Sequence, residues 1–146
     1  MDEISIEGLI LTPLKKIHHP KGDIFHGLRK SDAGYSSFGE AYFTTINNGE
    51  IKGWNKHKVM TLNLIVPIGE VHFKLYDDRD SINLFNDFIL SSKNYVRLTV
   101  PPGIWFGFKG LYDPQSLILN IADIVHDDKE VEKKQLDDIE CNWDIK

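Results

Sequence analysis

The chain is short of several things at once, and each shortage closes off a class of protein. Cys141 is its only cysteine, so no disulfide can form within it and a reducing, cytoplasmic compartment is the expectation. No apolar run approaches the roughly 18 residues that a membrane helix needs. The start Met-Asp-Glu-Ile carries neither the basic nor the apolar part of an export signal. Positive charge is outweighed: 17 Lys and Arg stand against 22 Asp and Glu, a formal charge of -5. A general nucleic-acid binder needs a basic footprint to displace phosphate counterions, so that class is disfavoured. A small anionic ligand stays open, because one local group of lysines sets its own field. Sustained helical periodicity is also missing.

What is present reads as strands. With 41% hydrophobic residues over 146 positions, one domain spanning 1–146 can bury a core without metal or disulfide help. Leu9 to Ile17 reads as an edge strand because Pro13 lacks a ladder donor. The stretch from His18 to Tyr35 is irregular. Phe38 to Ile46 and the run through Lys58 form a hairpin about Asn47-Asn48-Gly49. Met60 to Val66 alternates, and Val71, Phe73 and Leu75 alternate with His72, Lys74 and Tyr76. Asp77 to Ser81 is a charged turn, and Ile82 to Lys93 is expected to hold one short helical turn. Tyr95 to Val100, Ile104 to Phe108 and Leu117 to Ala122 complete a set of roughly eight or nine strands, which favours a sandwich or jelly roll over an α/β fold. From about residue 127 to 146 the charged sequence, ending near Trp143, is expected to be a surface tail.

Chemistry concentrates in Lys52-Gly53-Trp54-Asn55-Lys56-His57-Lys58, which offers an anion and sugar site through Lys52 and Lys58. On a strand the two-residue period aims Asn55 and His57 at one face, and Trp54 and Lys56 at the other. A solvated lysine-rich edge strand is the bland alternative. Asn63 and Asn120 are lone amides in apolar strands, and each lines a polar pocket or satisfies a neighbouring strand. Trp54, Trp105, Phe106 and Phe108 offer a platform for a sugar or base, or simply core. His72 faces solvent or the lumen.

Three stretches in order carry a resemblance: Gly53-Trp54-Asn55-Lys56-His57, then Leu75-Tyr76-Asp77-Asp78-Arg79-Asp80-Ser81, then Pro101 through Phe108 as PPGIWFGF. From about Lys21 to Asp128 the chain resembles the dTDP-4-dehydrorhamnose 3,5-epimerase family of cupins. The resemblance implies an all-β, double-stranded β-helix, usually a homodimer, binding a dTDP-linked 4-keto-6-deoxyhexose in the barrel mouth and moving protons beside the ketone. It places Lys52 where family members carry an arginine near the diphosphate, Lys21 near another such arginine, and Glu40 in a region that contacts the nucleotide; Arg29, in the same early segment as Lys21, joins the substrate-binding candidates. Trp105 joins that substrate-binding set. It puts Asn55 where the family has its base histidine, and an amide has no proton equilibrium suited to that job. Phe106 stands at the second-motif histidine and Asn120 at a late tyrosine.

His57 matches the second histidine of the 3,4-ketoisomerase relatives, and an imidazole suits proton shuttling near neutrality. Many cupins hold a metal at these positions, but one good ligand is left here, so no metal and no other cofactor is expected. Three readings follow from the resemblance: an epimerase or isomerase of deoxysugar and surface-polysaccharide biosynthesis, a 3,4-ketoisomerase using His57, and a catalytically silent cupin that binds a nucleotide sugar.

Overall fold

Alternation decides the architecture. In Glu70–Asp77 (β7) the side chains of Val71, Phe73 and Leu75 are fully buried on one face, and a strand with one side on a core has this period. The computed structural model describes residues 3–144. In chain order the other strands are Ile10–Pro13 (β1), Lys16–Ile17 (β2), Ile24–Phe25 (β3), Glu40–Asn47 (β4), Ile51–His57 (β5) and Leu62–Ile68 (β6). After β7 come Leu84–Ser91 (β8), Val96–Val100 (β9), Trp105–Gly110 (β10), Gln115–Ala122 (β11) and Val131–Lys133 (β12).

Two five-stranded sheets form, ordered β1-β9-β6-β11-β4 and β12-β5-β10-β7-β8, while β2 and β3 make a small separate hairpin. The inner faces meet in one core. Ile46, Leu62, Leu64, Leu98 and Ile118 come from the first sheet, and Val71, Phe73, Leu75, Phe88 and Phe106 from the second. This is the cupin jelly roll. Pro13 lies in an edge strand, where its missing N–H costs no ladder bond. Gly69 turns β6 into β7 at φ +93°, and a Cβ there would lie 2.3 Å from Ser116 Oγ.

The long irregular segment is held from beneath by a buried cation. Arg97, fully buried on the outer face of β9, donates to the carbonyls of Gly27 (2.8 Å) and Ala33 (2.9 Å) and to Asn63 Oδ1 (3.1 Å), with Asp32 at 3.3 Å. Burial depresses the Arg97 guanidinium, and Asp32 partly offsets this. The backbone loop thus gains donors that neighbouring strands do not supply.

Two expectations are corrected. Ile82–Lys93 holds no helical turn; β8 occupies most of it and pairs along its length with β7. Asp80, Ser81 and Asn83, all at positive φ, reverse the chain. Asn86, Phe88 and Leu90 then face inward, an alternation disguised by the asparagine. The Asn86 carbonyl accepts from the N–H groups of Ser5 and Ile6 and its amide donates to the Glu3 carbonyl, tying down the segment from Glu3 to Ile6.

The described part of the segment read as a surface tail is not one. β12 pairs with β5, and Ile139, Leu136 and Trp143 cover Trp54 and Trp105 on the outer face of the second sheet. Those indoles are the reason, since each large aromatic left bare forgoes about 25 cal/mol per Å² of burial. His72, on that same outer face, is consequently buried rather than solvated, with its ring 5.2 Å from that of Trp143. Among the described residues no helix is long and apolar enough to cross a membrane.

Candidate functional site

A bulge in β5 creates the site. Against β10, Asn55 pairs with Phe106 but Lys52 pairs with Phe108, so three steps on one strand match two on the other. Strict alternation would send Lys52 and Asn55 to opposite faces, and the extra residue returns both to the inner face. Gly53 makes this close passage possible, because a Cβ there would sit 3.1 Å from Gly107 Cα.

The result is a cavity of about 210 Å³ between the sheets. The wall from the second sheet brings Lys52, Asn55, Phe73, Phe106 and Phe108; the facing wall brings Tyr42, Thr44, Leu64, Ile118 and Asn120. Lys52 Nζ donates to the carbonyl of Thr45 at 2.8 Å on the exposed side. Asn120 Nδ2 donates to Tyr42 Oη at 2.9 Å, while Asn120 Oδ1 is buried with no partner among the described residues.

His57 follows Asn55 on the same face of β5, as the period of two requires, yet it does not line the cavity itself. Its ring stacks on Phe106 at 6.0 Å between centroids. Behind it Nδ1 donates to Glu130 Oε1, with both side chains buried. Glu130 Oε2 also accepts the N–H groups of Val59 and Met60, each at 3.2 Å. Burial alone would raise the Glu130 carboxyl, but the His57 hydrogen bond and these two N–H donors outweigh it and hold the group below the usual glutamate value.

The cavity gathers Asn55 of the catalytic candidates, and Lys52 and Asn120 of the substrate-binding ones. Glu40 opens β4 two residues before Tyr42 and so shares its face, half-buried. The rest lie elsewhere. Asn63 is on the outer face of β6, where its Oδ1 accepts from Arg97 and from Thr99 Oγ1 (2.6 Å) and its amide donates to Gly34. Trp105 packs outward under Trp54 and Ile139, with its N–H on Asp78. Lys58 is exposed beyond the end of β5.

Lys21 sits in an exposed turn, and Arg29 borders a separate groove of about 170 Å³ beside Lys15 and His26. Sequence reasoning missed Tyr42, Thr44 and Glu130. The first two carry a faint signal, since Tyr42, Thr44 and Ile46 share one face of an alternating strand. Glu130 carries none, because its partner is 73 residues away.

Two antiparallel sheets closed around a small cavity, lined by aromatic and aliphatic side chains with a few amides and hydroxyls and a lysine at its rim, define a cupin. No family model matches the chain. A dTDP sugar isomerase from Desulfovibrio desulfuricans G20 is 34% identical, covering 90% of this chain and 87% of its own, with a TM-score of 0.87. QdtA, a sugar 3,4-ketoisomerase from Thermoanaerobacterium thermosaccharolyticum, is 19% identical over 87% of this chain and 88% of its own, with a TM-score of 0.74. A probable low-salt glycan biosynthesis epimerase, Agl13, of Haloferax volcanii is 24% identical over 100 residues, which span 66% of this chain and 64% of that protein. The chain belongs to the dTDP-sugar epimerase and isomerase family of cupins.

Proposed function

We propose that the protein is an isomerase of nucleotide-linked keto-deoxy sugars, with a dTDP-4-keto-6-deoxyhexose as substrate class and proton transfer beside the ketone as its chemistry. The pairing of His57 with Glu130 carries the reading. A carboxylate on Nδ1 fixes the ring tautomer and leaves Nε2 as the proton acceptor, next to Phe106 on the cavity wall. Carbon-bound hydrogen beside a ketone is removable only when a base takes it while a donor holds the developing enolate oxygen. Lys52 and Asn55 offer such donors on the same wall, and Lys52 brings the positive charge that a diphosphate needs. A role in deoxysugar or surface-polysaccharide biosynthesis accords with the similarity to a glycan biosynthesis epimerase.

A 3,4-ketoisomerase is the second reading, favoured by one observation. Asn55 brings only an amide to the cavity wall while His57 stacks on that wall's Phe106, and one base shuttling a proton between neighbouring carbons suffices for that reaction. Incubation with dTDP-4-keto-6-deoxyglucose in heavy water separates the readings. Label at C3 and C5 marks epimerisation, and label or ketone migration confined to C3 and C4 marks ketoisomerisation. Absence of label at every carbon sinks both and leaves a nucleotide-sugar binder.

A cytoplasmic homodimer completes the proposal. The lone cysteine suits a reducing compartment. β4 is an eight-residue edge strand with Phe43 64% exposed, the kind of edge that a second chain covers.

A further inference from the structure

The cavity of about 210 Å³ has room for a sugar ring but not for a nucleotide beside it, so the polar groups on its walls meet the sugar. Those groups are not equivalent. Lys52 only donates, and its Nζ already rests on the Thr45 carbonyl at 2.8 Å. Tyr42 and Thr44 each bring a single oxygen. The Asn120 amide is turned into its own wall, with Nδ2 on Tyr42 Oη at 2.9 Å and Oδ1 buried.

Asn55 differs from all of these. Its strand is paired on both sides, with Phe106 of β10 and Lys133 of β12 opposite it, so the side chain enters the cavity from a fixed backbone. It is half-buried there, and its Oδ1 and Nδ2 make no hydrogen bond to the described residues. A primary amide so placed presents one acceptor and one donor side by side in a plane, the pairing with which asparagine reads two adjacent polar atoms of a base edge. A ligand that fills the cavity displaces water from both poles. Matching only one of them leaves the other unpaired.

We propose that Asn55 selects the substrate by spanning two oxygens on neighbouring ring carbons, Nδ2 donating to the ketone oxygen and Oδ1 accepting from the hydroxyl beside it. The role deepens the isomerase reading above and rests on it. In a 4-keto-6-deoxyhexose the ketone carbon C4 has two ring neighbours, and of these only C3 carries a hydroxyl. The ligand class is therefore an α-hydroxyketone. A 3-deoxy sugar leaves Oδ1 without a hydrogen, and a 3,4-diketone sets oxygen against oxygen.

Calorimetry tests this without any turnover. The full-length protein and its Asn55→Ala and Asn55→Leu variants, checked by circular dichroism, are titrated with dTDP, dTDP-6-deoxyglucose and dTDP-3,6-dideoxyglucose. Both sugars carry a C4 hydroxyl, which accepts from Nδ2 as a ketone does but leaves no ketone to react. The unmodified protein should bind the ligand with the C3 hydroxyl about tenfold tighter than its 3-deoxy counterpart, the scale of one acceptor left unpaired. Each variant should bind the two sugars within about twofold of one another, while its affinity for dTDP stays within about twofold of the unmodified protein's.

Equal affinity of the unmodified protein for the two sugars would overturn the assignment. So would a preference that survives in both variants, which puts the C3 hydroxyl against another residue. Variants that do not fold, or that lose dTDP as strongly as the sugars, mark a structural role for Asn55 and overturn it too. Failure of the unmodified protein to bind either sugar removes the nucleotide-sugar reading itself, and the role of Asn55 with it.

Discussion

His57 and Glu130, 73 residues apart in the chain, meet as a buried hydrogen-bonded pair where β12 begins to run along β5. The contact joins the inner strand of the cavity to a segment outside the core. Removing the carboxylate leaves an imidazole and two backbone N–H groups without their acceptor. Glu130→Ala is therefore expected to cost about 3 kcal/mol of unfolding free energy, the scale of buried donors left without their carboxylate acceptor, measured by urea denaturation. A loss below about 0.5 kcal/mol would show that the pair does not hold the strands together.

The same pair sets an acid limit. The folded Glu130 carboxyl lies below its ordinary value, so its contribution is fully present above the unfolded glutamate range and fades as pH falls through the lower folded value. Thermal denaturation followed downward from neutral pH should show this loss in the parent protein. Glu130→Gln, which has nothing to protonate, should show a flatter profile over that range.

His57→Asn should abolish turnover, at least about 100-fold, while leaving the strand in place. Unchanged turnover would remove His57 from the chemistry.

Asn55→His places an imidazole on the cavity wall where now an amide stands. The fold should survive, because Asn55 is only half-buried, and deuterium incorporation beside the ketone should rise about tenfold or more. A fold that holds without any gain in exchange would show that the wall lacks the geometry for a base at that position.

Asn63→Ala should destabilise by about 2 kcal/mol, because Arg97 Nε and Thr99 Oγ1 lose their shared buried acceptor. Affinity for dTDP, measured by calorimetry, should not move, since the residue faces away from the cavity. A loss of affinity without a loss of stability would put Asn63 back among the ligand contacts.

Much of this protein is legible in its residues. The alternation of Val71, Phe73 and Leu75, with the glycine and proline turns between short apolar runs, fixes an antiparallel β fold, because a strand with one buried face has no other period. The motifs about Asn55 and Phe106 locate the cavity wall. Beyond that the sequence is silent. Lys52 reaches the inner face only through a bulge, which shifts a strand by one residue and leaves no mark in composition. Asn63 and Asn120 look alike in sequence, yet one meets Arg97 outside the barrel and the other meets Tyr42 within it.

The acidic and basic residues after His126 hide Glu130 and Trp143, whose burial depends on Trp54, Trp105 and His57 far earlier in the chain. Local periodicity records which way each side chain turns from its own strand. Which strand lies opposite, and so what each polar group meets, is set only when the two sheets close on one another.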